Sequence, residues 1–184
     1  GKSGYYSMYV GKLDKGEDEH YHDADWDDSL AAIDFIKGEH EKPFCVYLPL
    51  GYPHPPYGVE EPWFSMIERD KLPSRKETPV DWQGKPSLLA GIHKSQNLDD
   101  WGDDNFTELR ACYYGMCARV DHQLGLLVDA LKESGQYDNT AIFFISDHGD
   151  FTGDYGLVEK SQNTFEDCLT NVPFLVKPPK GVEI

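Results

Sequence analysis

The residues best suited to chemistry lie at positions 147–160, Asp-His-Gly-Asp-Phe-Thr-Gly-Asp-Tyr-Gly-Leu-Val-Glu-Lys. Asp147 and His148 end an apolar run, Ala141-Ile-Phe-Phe-Ile145. A carboxylate beside an imidazole at the tip of an apolar strand is costly unless a cation shares the site. Adjacent oxygen and nitrogen ligands reach one ion only where the chain turns sharply, and Gly149 permits that turn. The carboxylate favours a hard cation, whereas imidazole leaves the choice wider. The dipeptide alone equally describes a solvent-facing turn, so the residues after it carry weight. Lys160 comes thirteen positions after Asp147, and Gly153 and Gly156 let the intervening segment fold back. A lysine brought to the tip holds an anionic oxygen as a point charge; elsewhere it is a surface lysine. His54 stands between Pro53 and Pro55, on a segment whose backbone they stiffen. An imidazole there donates to an ester oxygen or passes it a proton; otherwise it is a loop histidine stacked on Tyr52 or Tyr57.

Two apolar runs must deliver these groups to one rim. Pro43-Phe-Cys-Val-Tyr-Leu-Pro-Leu50 reads as a buried strand leading to His54. Gly51-Tyr-Pro-His-Pro-Pro-Tyr57 cannot continue a ladder, because proline lacks the amide donor. Ala141–Ile145 is a second strand and 171–177 a third. Asp25-Trp-Asp-Asp28 opens a helix with Leu30, Ile33 and Ile36 on one stripe, stopped by Gly38. Leu109, Cys112, Met116, Val120, Leu124, Leu127 and Leu131 step by three or four. They predict a long helix capped at Thr107 and stopped by Gly135. Residues 1–22 are polar and without period. Residues 58–105 form a long insertion with a short helix near 62–69, and 159–169 hold another short helix. The alternation predicts an α/β fold with a mostly parallel sheet flanked by helices. Ligands bind beyond the C-terminal strand ends of such sheets, so His54 and Asp147 fall on one rim.

Composition bounds the rest. The chain has 184 residues, 39% hydrophobic and 13% aromatic, enough for one domain with a core. Its net charge of -16 argues against nucleic-acid binding. It does not exclude an anionic substrate, since salt screens exposed charges beyond about 8 Å and a cation with one lysine dominates a cleft. Cys45, Cys112, Cys117 and Cys168 form no C-x-x-C pair and read as core or helix-face thiols. No stretch approaches the ~18 apolar residues of a membrane span, and no signal peptide opens the chain. In Glu19-His-Tyr-His-Asp-Ala-Asp25, His20 and His22 read as a solvated lead-in to the helix rather than a second metal site. Trp63, Trp82 and Trp101 in the insertion either stack on sugar faces or pack the loop down.

Four stretches carry a family resemblance: Pro43–Tyr57 with its Pro-His, Tyr113–Gly125 in the long helix, Gly135–Asp150 with its Asp-His strand end, and Gly156–Lys160 through Val172-Pro-Phe174. In this order they resemble a type I, arylsulfatase-like sulfatase of the alkaline-phosphatase superfamily. The resemblance implies a partial alkaline-phosphatase-like sandwich over residues 1–184, a single partial catalytic domain. It implies that Asp147 and His148 ligate a calcium or magnesium ion, that Lys160 binds a sulfate oxygen, and that His54 contacts the sulfate or the leaving-group oxygen. The family nucleophile is a formylglycine made from Cys or Ser in a Cys/Ser-x-Pro-x-Arg motif. This chain departs from that pattern: Cys117-Ala-Arg-Val-Asp121 lacks the proline, and Lys71-Leu-Pro-Ser-Arg75 has lysine at the first position. The paired aspartates and the lysine-histidine pair that precede Pro-His in the family are missing too. The expectation is a chain that starts after the nucleophile segment and stops before the C-terminal subdomain.

The implied activity is sulfate-ester hydrolysis by the parent protein, with sulfated small molecules or carbohydrates as substrates and the present residues alone inactive. A phosphonate monoester or phosphodiester hydrolase of the same superfamily is the runner-up, and a non-catalytic remnant acting as a binding module is the alternative of another class. The resemblance also implies a periplasmic or secreted location. It leaves the oligomeric state open.

Overall fold

The structure, a computed structural model, describes residues 9–15, 20–161 and 163–183. Its axis is helix α4 (Asp103–Glu133), preceded in the chain by β1 (Val10–Lys12), α1 (Ala24–Lys37), β2 (Tyr57–Val59), α2 (Trp63–Met66) and α3 (Ser87–Gln96). After it come β3 (Ile142–Ile145), α5 (Asp167–Thr170) and β4 (Phe174–Lys177). Helix α4 starts before the predicted cap at Thr107, at Gly102, whose N–H donates to Asn105 Oδ1 (3.1 Å). Asp103 and Asp104 then lie in the first turn, where the helix dipole favours carboxylates. The stop at Gly135 is as expected, with φ of +73° and its N–H on the Lys132 carbonyl (3.0 Å).

The inward face of α4 carries Leu109, Cys112, Met116 and Val120 at the predicted spacing. Leu109, Cys112 and Met116 join Trp26, Tyr57, Val59, Trp63, Leu98, Phe106 and Val158 in the main core. Strands β1 and β2 pair in parallel, with Val10 opposite Tyr57 and Lys12 opposite Val59. Neither was legible: β1 lies in a stretch read as aperiodic, and β2 straddles the start of the supposed insertion. Gly115 allows α2 to close on α4, because a Cβ there would sit 2.7 Å from the Trp63 carbonyl oxygen. Helix α1 is capped by Asp23, whose Oδ1 accepts the Trp26 N–H (3.0 Å). Its buried face is Trp26, Ser29, Ala32 and Ile36, while Leu30 of the expected stripe is exposed, as is Phe35.

Two further expectations are corrected. Pro43–Leu50 is not a buried strand: it carries no ladder, Tyr47 is 85% exposed, and Cys45 is exposed rather than a core thiol. A parallel strand is stable only between neighbours that satisfy its backbone, and no described residue pairs with this one. Strands β3 and β4 do pair, but antiparallel, with Ile142 opposite Lys177 and Ile145 opposite Phe174. Phe143, Ile145, Phe174 and Leu175 of this pair are exposed. The insertion is folded rather than structureless. Leu89 of α3 is buried with Phe151, Tyr155, Leu157 and Leu169 in a second core. The three insertion tryptophans pack down: Trp63 lies in the main core, Trp101 against Phe106, and Trp82 against His93. His20 stacks on Trp26, and His22 Nδ1 lies 3.5 Å from Asp27. Glu19 of that cluster lies outside the described residues.

One buried charge ties these layers together. Arg119 of α4 has a fully buried side chain, and its Nη2 donates to both Asp23 carboxylate oxygens (2.7 and 2.6 Å). Glu60 Oε1 lies 3.5 Å from Arg119 Nε and accepts from Trp26 Nε1 (3.1 Å) and the Tyr21 N–H (3.1 Å). The guanidinium lies 4.0 Å from the centre of the Tyr52 ring. Removing one member of such a set leaves the others charged and buried. Arg119→Ala is therefore expected to lower stability by about 3–5 kcal/mol, read by urea denaturation. Burial pushes the thiol of Cys112 up to about 12, that of Cys168 up to about 12 and that of Cys117 up to about 11. Thiolate is the reactive form, so a thiol reagent at neutral pH is expected to modify exposed Cys45 promptly and the other three slowly. Cys45→Ser should remove the fast phase.

Candidate active site

The four sequence-predicted residues come together as two pairs. Lys160 Nζ lies 2.7 Å from His54 Nε2. His54 Nδ1 lies 2.8 Å from the Pro55 carbonyl and so carries the proton, which leaves the Nε2 lone pair to accept from the ammonium. Glu159 adds a carboxylate to this pair, with Oε1 3.6 Å from His54 Nε2 and 3.7 Å from Lys160 Nζ. The second pair is Asp147 and His148, whose Oδ2 and Nε2 are 3.7 Å apart. Asp147 is 87% exposed, and its Oδ1 accepts the His148 backbone N–H (2.9 Å). His148 Nδ1–H donates to the Gly149 carbonyl (2.8 Å), so its Nε2 lone pair is presented outward.

Each side chain has an identifiable support. Asp25, in the first turn of α1, accepts the N–H groups of Gly51 and Tyr52, both at 2.8 Å. The Tyr52 hydroxyl donates to the Gly58 carbonyl (3.1 Å), and the His54 N–H donates to Gly51 (2.9 Å). The turn bearing His54 is thereby fixed to α1 and β2. Gly149 is required for room rather than for a left-handed φ. A Cβ there would lie 1.9 Å from the Cys168 carbonyl oxygen, and its N–H donates to the Leu169 carbonyl (2.9 Å). The Asp147–His148 turn is thus docked on α5. The segment returning to Lys160 is gripped by the insertion. Lys76 N–H donates to Asp154 Oδ1 (2.8 Å), Tyr155 N–H donates to the Lys76 carbonyl (2.8 Å), and buried Gln96 brackets Val158 through both its amide atoms.

Three residues that sequence reasoning passed over join the two pairs. The Tyr57 hydroxyl donates to Asp150 Oδ2 (2.7 Å) and accepts the Glu159 N–H (2.9 Å), while Asp150 Oδ1 accepts the Thr152 N–H (2.7 Å). Burial, reinforced by Asp150, holds the Tyr57 phenol well above its usual range, so it keeps its proton and donates. Burial also raises the Asp150 carboxyl. The available signal was proximity: Tyr57 is three positions from His54, Asp150 two from His148, and Glu159 adjacent to Lys160.

The 3.7 Å separation of Asp147 Oδ2 and His148 Nε2 lets both reach one cation. Bonds of about 2.0–2.6 Å from Asp147 Oδ2 and His148 Nε2 meet at one ion. A calcium or magnesium shell takes six or more donors, so the pair supplies part of one. Among the described residues no group of three or more such side chains gathers. Lys160 supplies positive charge and hydrogen-bond donors beside the His54 imidazole.

The sulfatase family profile matches residues 2–183. The chain is 30% identical over 161 residues to the multifunctional alkaline phosphatase superfamily protein PehA of Trinickia caryophylli, covering 79% of this chain and 30% of that protein. It is 29% identical over 174 residues to an arylsulfatase of Clostridium perfringens, covering 89% of this chain and 34% of that one. The phosphonate monoester hydrolase of Agrobacterium radiobacter superposes with a TM-score of 0.71 at 31% identity, covering 82% of this chain and 32% of that one. The chain thus spans about a third of the length of the relatives it matches. With its Asp-His strand end, its Pro-His turn and the returning lysine on a shared scaffold, this chain belongs to the sulfatase family of the alkaline phosphatase superfamily.

Proposed function

We propose that the protein carrying this chain hydrolyses sulfate esters, taking sulfated small molecules or carbohydrates as substrates. The observation that carries this reading is the Lys160–His54 contact at 2.7 Å, formed across 106 positions, with Lys160 on the segment that follows the Asp147–His148 tip. In this reading Asp147 and His148 hold a calcium or magnesium ion, with further donors from outside these residues. The ion supplies positive charge where the ester anion binds. Lys160 holds a non-bridging oxygen of the anion. His54 contacts the same oxygens or the leaving-group oxygen. In this reading the nucleophile is a formylglycine, for which no motif exists in this chain. These residues by themselves are therefore expected to bind rather than to turn over. A periplasmic or secreted location belongs to the same reading. No helix among the described residues is long and apolar enough to cross a membrane.

A second reading, phosphonate monoester or phosphodiester hydrolysis, is favoured by the hydrolase superposing at a TM-score of 0.71. Both anions are tetrahedral, and the same cation, lysine and histidine serve either. Rates of the whole protein on an aryl sulfate and on an aryl phosphonate monoester, measured side by side, decide between them. Under the first reading the sulfate has the higher kcat/KM, and the reverse order establishes the second. Under either, Lys160→Ala should lower kcat/KM by about a hundredfold to a thousandfold, the usual effect of removing one oxyanion donor. Asp147→Ala should abolish turnover. Dialysis against a chelator should do the same, with recovery on adding calcium or magnesium. Undiminished hydrolysis by Asp147→Ala would remove the metal role.

A further inference from the structure

We infer that Tyr57 is a positioning residue, whose single hydroxyl sets the relative placement of the candidate metal tip and the candidate anion pair; this rests on the reading of the site just proposed. Three segments carry the four site residues, and all three meet at this one oxygen. Tyr57 itself belongs to the His54 segment. Its hydroxyl donates to Asp150, on the Asp147–His148 segment, at 2.7 Å. It accepts the backbone N–H of Glu159, on the Lys160 segment, at 2.9 Å. A phenol has one proton to give and lone pairs to receive, so the two bonds use it in both senses at once. The side chain is 1% exposed and packed among the main-core residues, which fixes the ring and therefore the oxygen.

The conformation of the Lys160 segment shows why a fastener is needed there. Glu159 has a φ of +64° and Thr152 of +47°, left-handed values that side-chain-bearing residues rarely adopt. Such residues persist only where their surroundings hold them. For Glu159 the holding bonds are its N–H on Tyr57 and its carbonyl accepting the Phe151 N–H (2.9 Å). For Thr152 the bond is its N–H on Asp150 Oδ1 (2.7 Å). The insertion grips the segment at Asp154, Tyr155 and Val158, away from Lys160. The Tyr57–Asp150–Glu159 junction is what acts at the end where Lys160 meets His54. Released from it, Glu159 relaxes to negative φ and carries the adjoining ammonium off the imidazole. The anion would then lose a donor without any change to a residue that touches it.

Tyr57→Phe removes the oxygen and keeps the ring. In the whole protein, amide hydrogen exchange is expected to quicken about tenfold or more across residues 151–160, while α4 exchanges as before. On the ester the wild type prefers, kcat/KM should fall about tenfold to a hundredfold, as expected for two buried hydrogen bonds. A core truncation away from the site, Leu131→Ala, should lower the melting temperature and leave kcat/KM unchanged, which separates positioning from general destabilisation. Asp150 reads the same junction from its other end, and serves if Tyr57→Phe does not fold. Asp150→Asn keeps an acceptor for the phenol and should retain most of the exchange protection, whereas Asp150→Leu should lose it. Unchanged exchange at 151–160 in Tyr57→Phe would overturn the inference, as would lost protection with undiminished turnover. A wild type that hydrolyses neither ester would overturn the functional reading alone, and the exchange measurement would still decide the junction.

Discussion

A buried guanidinium organises this chain. Arg119 is removed from water on the central helix, and its charge is tolerated only because Asp23 and Glu60 meet it and the Tyr52 ring covers it. Each of those partners belongs to a different part of the chain. Asp23 caps α1, Glu60 follows β2, and Tyr52 begins the turn that holds His54. Contacts to one cation thus fix a helix, a strand and a site-bearing turn against α4 together. The cost of leaving any member unpaired is larger than the net value of the pair, so the arrangement specifies geometry more than it adds stability.

From that frame the site is reached by short, polar steps. Asp25 sits in the first turn of α1 and takes two backbone N–H groups of the His54 turn, so the helix cap and the site turn move as one. On the opposite side, close approach does what hydrogen bonds do elsewhere. Gly149 lets the Asp147–His148 turn touch the backbone of α5 where any side chain would collide. The insertion serves as a clamp, with α3 and the Lys76 strand-like segment gripping the residues between Asp150 and Lys160. A long surface insertion with such contacts is part of the scaffold of the site, not an ornament on it.

The same residues leave an apolar surface uncovered. Tyr47, Phe143, Ile145, Phe165, Phe174 and Leu175 are exposed, on the extended 43–50 segment, the β3–β4 pair and the segment before α5. Isolated exposed hydrophobic residues are ordinary, but runs on strand faces are not. Their alternation in β3, where Ile142 and Phe144 are half-buried and Phe143 and Ile145 are exposed, is that of a strand with only one face packed.

Much of this was legible in order of residues alone. The long helix announced itself by seven apolar residues at helical spacing, because one helix face must meet the core whatever surrounds it. The meeting of Asp147 with His148 and the return of Lys160 toward His54 were readable from residue type and offset, since a turn of fixed length limits where a side chain can go. What sequence could not give was pairing. Whether Pro43–Leu50 is a ladder strand depends on neighbours elsewhere, and an apolar run reads the same with or without them. The parallel β1–β2 pair escaped notice because three residues are too few to show a period. Tyr57, Asp150 and Glu159 escaped notice because a tyrosine beside prolines and a carboxylate in a loop have no local signature of their use. Their roles exist only once segments about a hundred positions apart lie within a hydrogen bond of one oxygen. Sequence alone determined which groups can do chemistry and which faces must be buried, since both follow from covalent structure and short-range periodicity. Tertiary structure alone decided which of those groups meet, since that is set by long-range packing and by the need to satisfy buried polar atoms.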